Sequence, residues 1–340
     1  MLPSGLQRTA SEMAAAPPGV VRQARYTRLL RGRRRCTELV HGWFASALEL
    51  EPVSNPRLLL SLDIDGVLEI ETEGFSSTSL AGAAALKLLQ LGRVAVILNT
   101  ARSLSEVRQR VEQLGLLGGV AGFGTWSHDA VFGRDECLVG SPALESLQRL
   151  RSHLRIDPGV VLDGDQQVNV RASRFEDGEL VPITGTDSRR LLDRLELDSL
   201  TYWVAPHHTD FCDRHVDKGA GIERLQSALG LDSLPLAAMG DSACDLPMLR
   251  RARFAFLPAA TLPSYTPLRG QRLYRARTLG PQAVWEAACV LVPDAALQRS
   301  VLASVRALEV PEWIPESLRQ LPVAGRGLLP RLAAALPISR

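Results

Sequence analysis

Two aspartates, Asp63 and Asp65, stand two positions apart directly after a short apolar run, Arg57-Leu58-Leu59-Leu60-Ser61-Leu62. A carboxylate in such a place can attack phosphorus, while its neighbour protonates the leaving oxygen and later activates water. Gly66 follows, and a glycine there lets the backbone turn tightly enough for amides to approach a phosphate. The pair taken alone is also what an ordinary acidic loop looks like. A second cluster, Asn99-Thr100-Ala101-Arg102, closes another apolar run. Its hydroxyl and amides suit a phosphoryl oxygen, and equally suit a helix cap or plain loop. The third is Lys218, in His215-Val216-Asp217-Lys218-Gly219. Of 39 basic side chains only Lys87 and Lys218 are lysines, so a lysine at a helix start invites a chemical reason. An ammonium is a compact charge able to neutralise both an attacking carboxylate and a phosphoryl oxygen. Last comes Gly240-Asp241-Ser242-Ala243-Cys244-Asp245, with two more carboxylates past an apolar stretch. Hard oxygen ligands of this kind hold Mg²⁺ and leave positions open for water and substrate. For Asp245 the alternative role is a helix cap.

Such residues need elements that bring them to one place. The apolar run ending at Leu62 predicts a buried parallel strand, and residues 93–98 and 119–123 predict two more. Helical spacing covers 81–91 and 103–116, the latter opened by a Ser103/Glu106 capping pair. A helix over 222–229, a strand over 236–239 and a helix over 245–251 continue the alternation. This order predicts an α/β fold with a doubly wound parallel sheet, whose ligand sites lie at the carboxyl ends of the strands. The middle breaks the pattern with a helix (143–154), a hairpin (160–171) turning through Asp163-Gly164, a helix (188–195) and a strand (201–205). That α-β-β-α-β block reads as an inserted α+β domain. The expected division is a basic N-terminal extension (1–55), a core (56–135 and 213–283), the insertion (136–212) and a helical, proline-broken C-terminal extension (284–340).

Composition narrows the partners. Hydrophobic residues make up 46% and charged residues 22% of the 340, as in ordinary soluble proteins. A formal charge of +2 makes no case for nucleic acid. No apolar run approaches the ~18 residues of a membrane span. Five cysteines without a C-x-x-C pair fit reduced thiols in a cytoplasm. Seven arginines between Arg22 and Arg35 read either as an anion- or partner-binding arm or as a solvated helix face. The Arg-rich start loosely resembles a transit peptide, with a surface helix as the plainer account. Oligomeric state is not readable.

Taken together, in this order and at strand ends or helix starts, the four clusters resemble the haloacid dehalogenase (HAD) superfamily of phosphatases over roughly residues 57–260. Asp63-Ile64-Asp65-Gly66-Val67-Leu68 looks like the first motif, Thr100 the second, Lys218 the third and Gly240-Asp241-Ser242 with Asp245 the fourth. The resemblance implies Asp63 as nucleophile, Asp65 as general acid/base, and Thr100 and Lys218 as phosphoryl-binding groups. It implies Mg²⁺ on Asp63, the Asp65 carbonyl and Asp241, with Asp245 in support. Ala101 and Val67 depart from the usual glycine and threonine without removing a reacting group.

The long stretch from Thr100 to Lys218 resembles a C2-type cap, similar to those of sucrose-phosphate, trehalose-phosphate and mannosyl-3-phosphoglycerate phosphatases. Pro158-Gly159-Val160 and Gln167-Val168-Asn169-Val170-Arg171 are similar to the trehalose-phosphate branch. The implied substrate is a small sugar, sugar-acid or disaccharide phosphate. Gly66, Arg102, Asn169, Arg171, His207 and His208 are candidate substrate-binding residues. An acid at Asp65 implies a leaving alcohol that needs a proton, hence a phosphatase. A sugar phosphomutase and a catalytically silent regulatory protein are the alternatives.

Overall fold

Alternation along the strand before Asp63 explains why its sheet is covered on both faces. In a computed structural model, which describes residues 18–322 except 177–178, 260 and 262–271, Leu58, Leu60 and Leu62 enter one apolar cluster and Leu59 another. Successive strand residues face opposite ways, so a run apolar at every position demands helices above and below.

The described residues form two compact units. One comprises Arg33–Gly140 and the chain from Arg214 onward. In chain order its elements begin with helix α1 (Pro18–Ala47, of which Arg33 onward belongs here), strand β1 (Leu58–Leu62) and the hairpin β2 (Ile70–Thr72) and β3 (Phe75–Ser77). Then come α2 (Leu80–Leu91), β4 (Val94–Asn99), α3 (Leu104–Gln113), β5 (Gly118–Ala121), β6 (Trp126–Asp129) and β7 (Arg134–Cys137). After the second unit follow α4 (Lys218–Ala228), β8 (Leu236–Met239), α5 (Leu246–Arg251), β9 (Phe254–Leu257), β10 (Arg272–Arg275), α6 (Gly280–Leu291) and α7 (Ala295–Arg306).

The sheet order is β10-β9-β8-β1-β4-β5-β6-β7. Every pair from β10 to β5 is parallel, and β6 and β7 are antiparallel. It is the doubly wound α/β sheet expected. β1 sits centrally, Leu60 opposite Ala237 of β8 and Val96 of β4. The capping box at the start of α3 is present, Ser103 accepting from the Glu106 amide.

The segments read from sequence as extensions contribute to this core. Val40, Phe44 and Leu48, spaced by four, are buried in the same cluster as Leu58 and Leu60, as are Trp285, Ile314 and Leu318. The arginine run ends at Arg35, and taking the whole segment by that run passes over the apolar stripe that follows it.

The second unit spans Ser141–Asp213, with which the chain up to Gly32 is grouped. Helices Ser141–Arg155 and Gly185–Arg194 accompany an antiparallel sheet of strands 179–182, 170–176, 209–213 and 200–204, with 160–162 added beside 170–176. The order is α-β-β-β-α-β-β, two strands more than read from sequence. Thr209–Asp213 was obscured by its two carboxylates, although all five residues are buried. The hairpin starts its turn at Asp163 as expected but runs to Asn169 before pairing resumes, Leu162 opposite Ala172.

Candidate active site

Three neighbouring parallel strands deliver the first group of residues. Asp63 directly follows β1, and its amide donates to the Met239 carbonyl of β8 at 3.0 Å. The chain then closes a tight loop, the Glu69 amide on the Ile64 carbonyl (2.8 Å) and the Gly66 amide on the Glu69 carbonyl (3.1 Å). Asn99 ends β4 and Thr100 follows it, and Gly240 and Asp241 follow β8. All therefore stand at one carboxyl edge of the sheet, where open α/β sheets present ligand sites.

Lys218 comes to this edge from the first residue of α4, whose start is capped by the Asp217 carboxylate accepting from the Ala220 amide at 2.7 Å. Its carbonyl is held by the Asn99 side-chain amide at 2.8 Å. The ammonium, 1% exposed, lies 2.8 Å from Asp63 Oδ1 and 2.5 Å from Asp245 Oδ1. Oxygens of Asp63, Asp241 and Asp245 all lie within 4.8 Å of one another.

Glycines make this crowding feasible. A Cβ on Gly66, at φ +74°, would stand 2.3 Å from Asp241 Oδ2. On Gly240 it would stand 2.5 Å from the Asp245 side chain. Gly66, expected to admit a phosphate, here admits the Asp241 carboxylate.

The charges explain the titration behaviour. Burial pushes Asp63 well above the usual carboxylate range and Asp245 adds to it, with Lys218 opposing both. Asp241 rises to about 6, through burial first and the Asp245 charge second. Burial alone would lower Lys218, but Asp245 and Asp63 outweigh it and hold the ammonium charged. Asp245 is fully engaged: its Oδ2 accepts from the Asp241 and Ser242 amides at 3.0 and 2.9 Å and from Ser242 Oγ at 2.8 Å. It therefore shapes the loop as well as adding charge. Burial and the Asp245 charge keep the neighbouring Cys244 thiol protonated, pushed up to about 12 against the opposing Lys218 ammonium.

The fold has known counterparts. A family model described as haloacid dehalogenase-like hydrolase matches residues 187–257, which include Lys218, Asp241 and Asp245. A Thermoplasma acidophilum protein shares the fold at TM-score 0.54 and 13% identity, over 70% of this chain and 99% of that one. The C-terminal domain of a C. albicans trehalose-6-phosphate phosphatase does so at TM-score 0.51 and 11% identity, over 74% and 96%. A HAD subclass IIB sugar phosphatase matches at TM-score 0.50 and 13% identity, over 72% and 99%. At these identities the solved structures show a shared fold, and the likeness to haloacid dehalogenase-like hydrolases in sequence is confined to residues 187–257. No curated protein matches its sequence significantly.

The residues singled out from sequence divide into three groups. Asp63, Asp241, Asp245 and Lys218 are brought together as described. Thr100 is buried directly after β4, its Oγ1 accepting from the Arg102 amide at 3.2 Å. Asp65 stands apart from the carboxylate cluster: its side chain, 56% exposed, takes a bidentate ion pair from Arg102 at 2.5 and 3.0 Å. Partial burial favours its neutral form, and the Arg102 guanidinium outweighs that, so the carboxyl sits below its ordinary range.

The other four lie in the second unit. Arg171 forms a bidentate pair with buried Asp210 at 2.8 and 3.1 Å, and His208 Nε2 is 3.2 Å from the same carboxylate. Burial opposes ionisation of Asp210, and Arg171 and His208 reverse it. Asn169 is buried, its carbonyl accepting from Arg151 at 2.8 Å, and the His207 carbonyl accepts from Ser173 Oγ at 2.8 Å.

Sequence reasoning missed the charged residues behind Arg102. Glu69 is wholly buried and pairs with Arg110 at 2.6 and 3.0 Å, with His41 Nε2 3.3 Å away. The available signal was Arg110 itself, an arginine on the stripe of α3 otherwise made by Leu104, Val107 and Val111.

Proposed function

We propose that the protein is a Mg²⁺-dependent phosphatase that hydrolyses a small phosphate monoester, a sugar or sugar-acid phosphate, through an aspartyl-phosphate on Asp63. The observation that carries this reading is the Lys218 ammonium lodged between Asp63 and Asp245, with Asp241 beside them. A carboxylate that attacks an anionic phosphate must overcome like-charge repulsion, and a fixed ammonium at the attacking oxygen lowers that cost. The phosphatases among the structural relatives agree with it.

Three clustered carboxylates against one ammonium leave negative charge in excess, and the Asp245 charge adds to burial in raising Asp241. An oxygen-rich, anionic site of this kind fits Mg²⁺. Asp63, Asp241 and the Asp65 carbonyl would hold the ion, with Asp245 in support. When bound, it supplies positive charge that offsets the carboxylates and polarises the phosphoryl group.

In the first half-reaction an Asp63 oxygen bonds to phosphorus as the bond to the leaving oxygen breaks, and Asp65, ionised while Arg102 holds it, takes up the proton of the phosphate monoanion and passes it to that oxygen. In the second, Asp65 takes a proton from water, which attacks phosphorus and releases phosphate, regenerating the Asp63 carboxylate. Thr100 and the amides after it, with Lys218, hold the phosphoryl oxygens. A phosphate-release screen over sugar phosphates, with Mg²⁺ and with chelator, tests the reading. Release that needs Mg²⁺ and disappears in Asp63→Asn is expected. Full activity in Asp63→Asn overturns it.

A further inference from the structure

Arg102 reads from sequence as a substrate contact, yet the guanidinium is spoken for. Its Nε and Nη2 face Asp65 at 3.0 and 2.5 Å, Nη1 faces Glu106 at 3.1 Å, and Nη2 is 3.5 Å from Glu69. Every nitrogen is thus engaged by a carboxylate of the same unit, and the side chain is 15% exposed. A guanidinium is a planar, rigid fork, so carboxylates on both of its edges fix its plane.

The carboxylate behind it is itself fixed. Glu69 is the last residue of the loop that begins at Asp63, and its backbone closes that loop onto Ile64 and Gly66. Its side chain accepts two hydrogen bonds from Arg110 and one from Ser76 Oγ at 3.0 Å. Helix α1 walls off the far side. His41 Nε2 accepts from the Thr78 amide at 3.2 Å, and Thr37 Oγ1 donates to the Ser76 carbonyl at 2.6 Å. Burial foremost, with Arg110 and Arg102 adding to it, pushes His41 down to about 4 and leaves it uncharged beside Glu69, which opposes the shift. The nearby charges are then Asp65, Glu69 and Glu106 against Arg102 and Arg110, with Arg34 of α1 3.9 Å from Glu106.

We infer that Arg102 is a positioning residue for the acid/base Asp65, and that Glu69, braced by Arg110 and helix α1, holds Arg102 in place. The inference rests on the phosphatase reading and deepens it. Asp65 lies on an exposed turn where, among the described residues, Arg102 is the side chain that anchors it, so its aim at a leaving oxygen depends on Arg102. Misplacing a proton-transfer group by about an ångström costs on the order of a hundredfold. Binding of the phosphate itself, assigned to Lys218 and Thr100, does not pass through Arg102.

The test is a kinetic cycle on the full chain with glucose 6-phosphate, whose leaving alcohol needs a proton, and Mg²⁺, read as phosphate release, each variant checked for folding by thermal unfolding. Arg102→Met is expected to lower kcat tenfold or more with KM within about threefold. Glu69→Gln, which touches no substrate, is expected to lower kcat in the same way. In an Asp65→Asn background, neither change is expected to reduce the remaining rate more than about threefold, because both act through Asp65. Should Glu69→Gln fail to fold, the Arg102→Met arm still decides. A KM rise with kcat retained would make Arg102 a substrate contact, and losses that multiply in the Asp65→Asn background would make both roles structural. Either result overturns the inference and leaves the phosphatase reading standing. A wild type that releases no phosphate from any ester, or an active Asp63→Asn, overturns both.

Discussion

Replacing Asp241 with Asn is expected to stabilise the metal-free protein while destroying its use of Mg²⁺. In the folded chain burial and the Asp245 charge raise the Asp241 carboxyl from 3.8 to about 6. A raised carboxyl means the folded state binds more protons than the unfolded state between those values. Stability therefore falls as pH rises through about 4 to 6, and the full cost is present above that window. Two units at about 1.4 kcal/mol each give about 3 kcal/mol as an upper figure. Relaxation of Asp63 and Asp245, which share the repulsion, reduces it to about 1–2 kcal/mol. Asparagine carries no charge at any pH, so Asp241→Asn in chelator at pH 7.5 should gain that amount, a melting temperature higher by roughly 2–6 °C. At pH 4.5 the gain should shrink, because the folded carboxyl is protonated there while the unfolded one is still largely ionised, and it should vanish below about pH 4. Adding Mg²⁺ should raise the melting temperature of the wild type by mass action and leave the variant nearly unmoved. Thermal unfolding at two pH values, with chelator and with Mg²⁺, reads all of this. A variant no more stable than wild type at pH 7.5, or one equally stabilised at both pH values, would refute the electrostatic account.

Lys218→Met removes the charge that compensates Asp63 and Asp245. It should lower kcat/KM by about 10²–10³ or more, and lower stability at pH 7.5 by about 3 kcal/mol, less at pH 5; urea unfolding and phosphate release measure the two. Gly66→Ala combines a positive φ with a Cβ placed against Asp241 Oδ2. Its expected signature is a stability loss of about 1–3 kcal/mol with at least tenfold more Mg²⁺ needed for half-maximal activity, and an unchanged Mg²⁺ requirement would speak against the contact. His41, lowered from 6.5 to about 4 by burial first, binds its proton more readily in the unfolded chain. Stability is then lost as pH falls from about 6.5 toward 4, by up to about 3 kcal/mol. His41→Gln should remove most of that loss between pH 7 and pH 4.5 in urea titrations.

What could be read in advance, and what could not, follows from how each residue advertises itself. The sheet was legible because a buried parallel strand must be apolar at every position, and Leu58–Leu62 and Val94–Asn99 leave no other reading. Asp63, Thr100, Lys218 and Asp241 were legible because strand ends and helix starts are marked by those same runs, so their convergence follows from topology. Arg22–Arg35 was weighed as an arm or a solvated face; from Arg33 on, α1 is a core helix whose Val40 and Phe44 are buried. Four-residue spacing was present there, directly after the arginine run that drew the reading.

Glu69 and Arg110 show a deeper limit. Each taken alone breaks the rule that charge stays at the surface, and in a linear reading each passes for an exposed residue of a loop or a helix. Their burial is tolerable only as a pair, because an isolated ion in the interior costs several kcal/mol and its partner's hydrogen bonds must offset that. Forty-one positions separate them, so no local pattern links the two. Arg102 inherits the same ambiguity: a basic residue two places after a threonine proposed to hold the phosphate invites assignment to the phosphate. Only when the carboxylates around it are placed does its electrostatic account close without a substrate. A sequence motif thus names the groups that react. The groups that aim them are chosen by packing, and a residue facing three carboxylates of its own unit has more to do with Asp65 than with the ester.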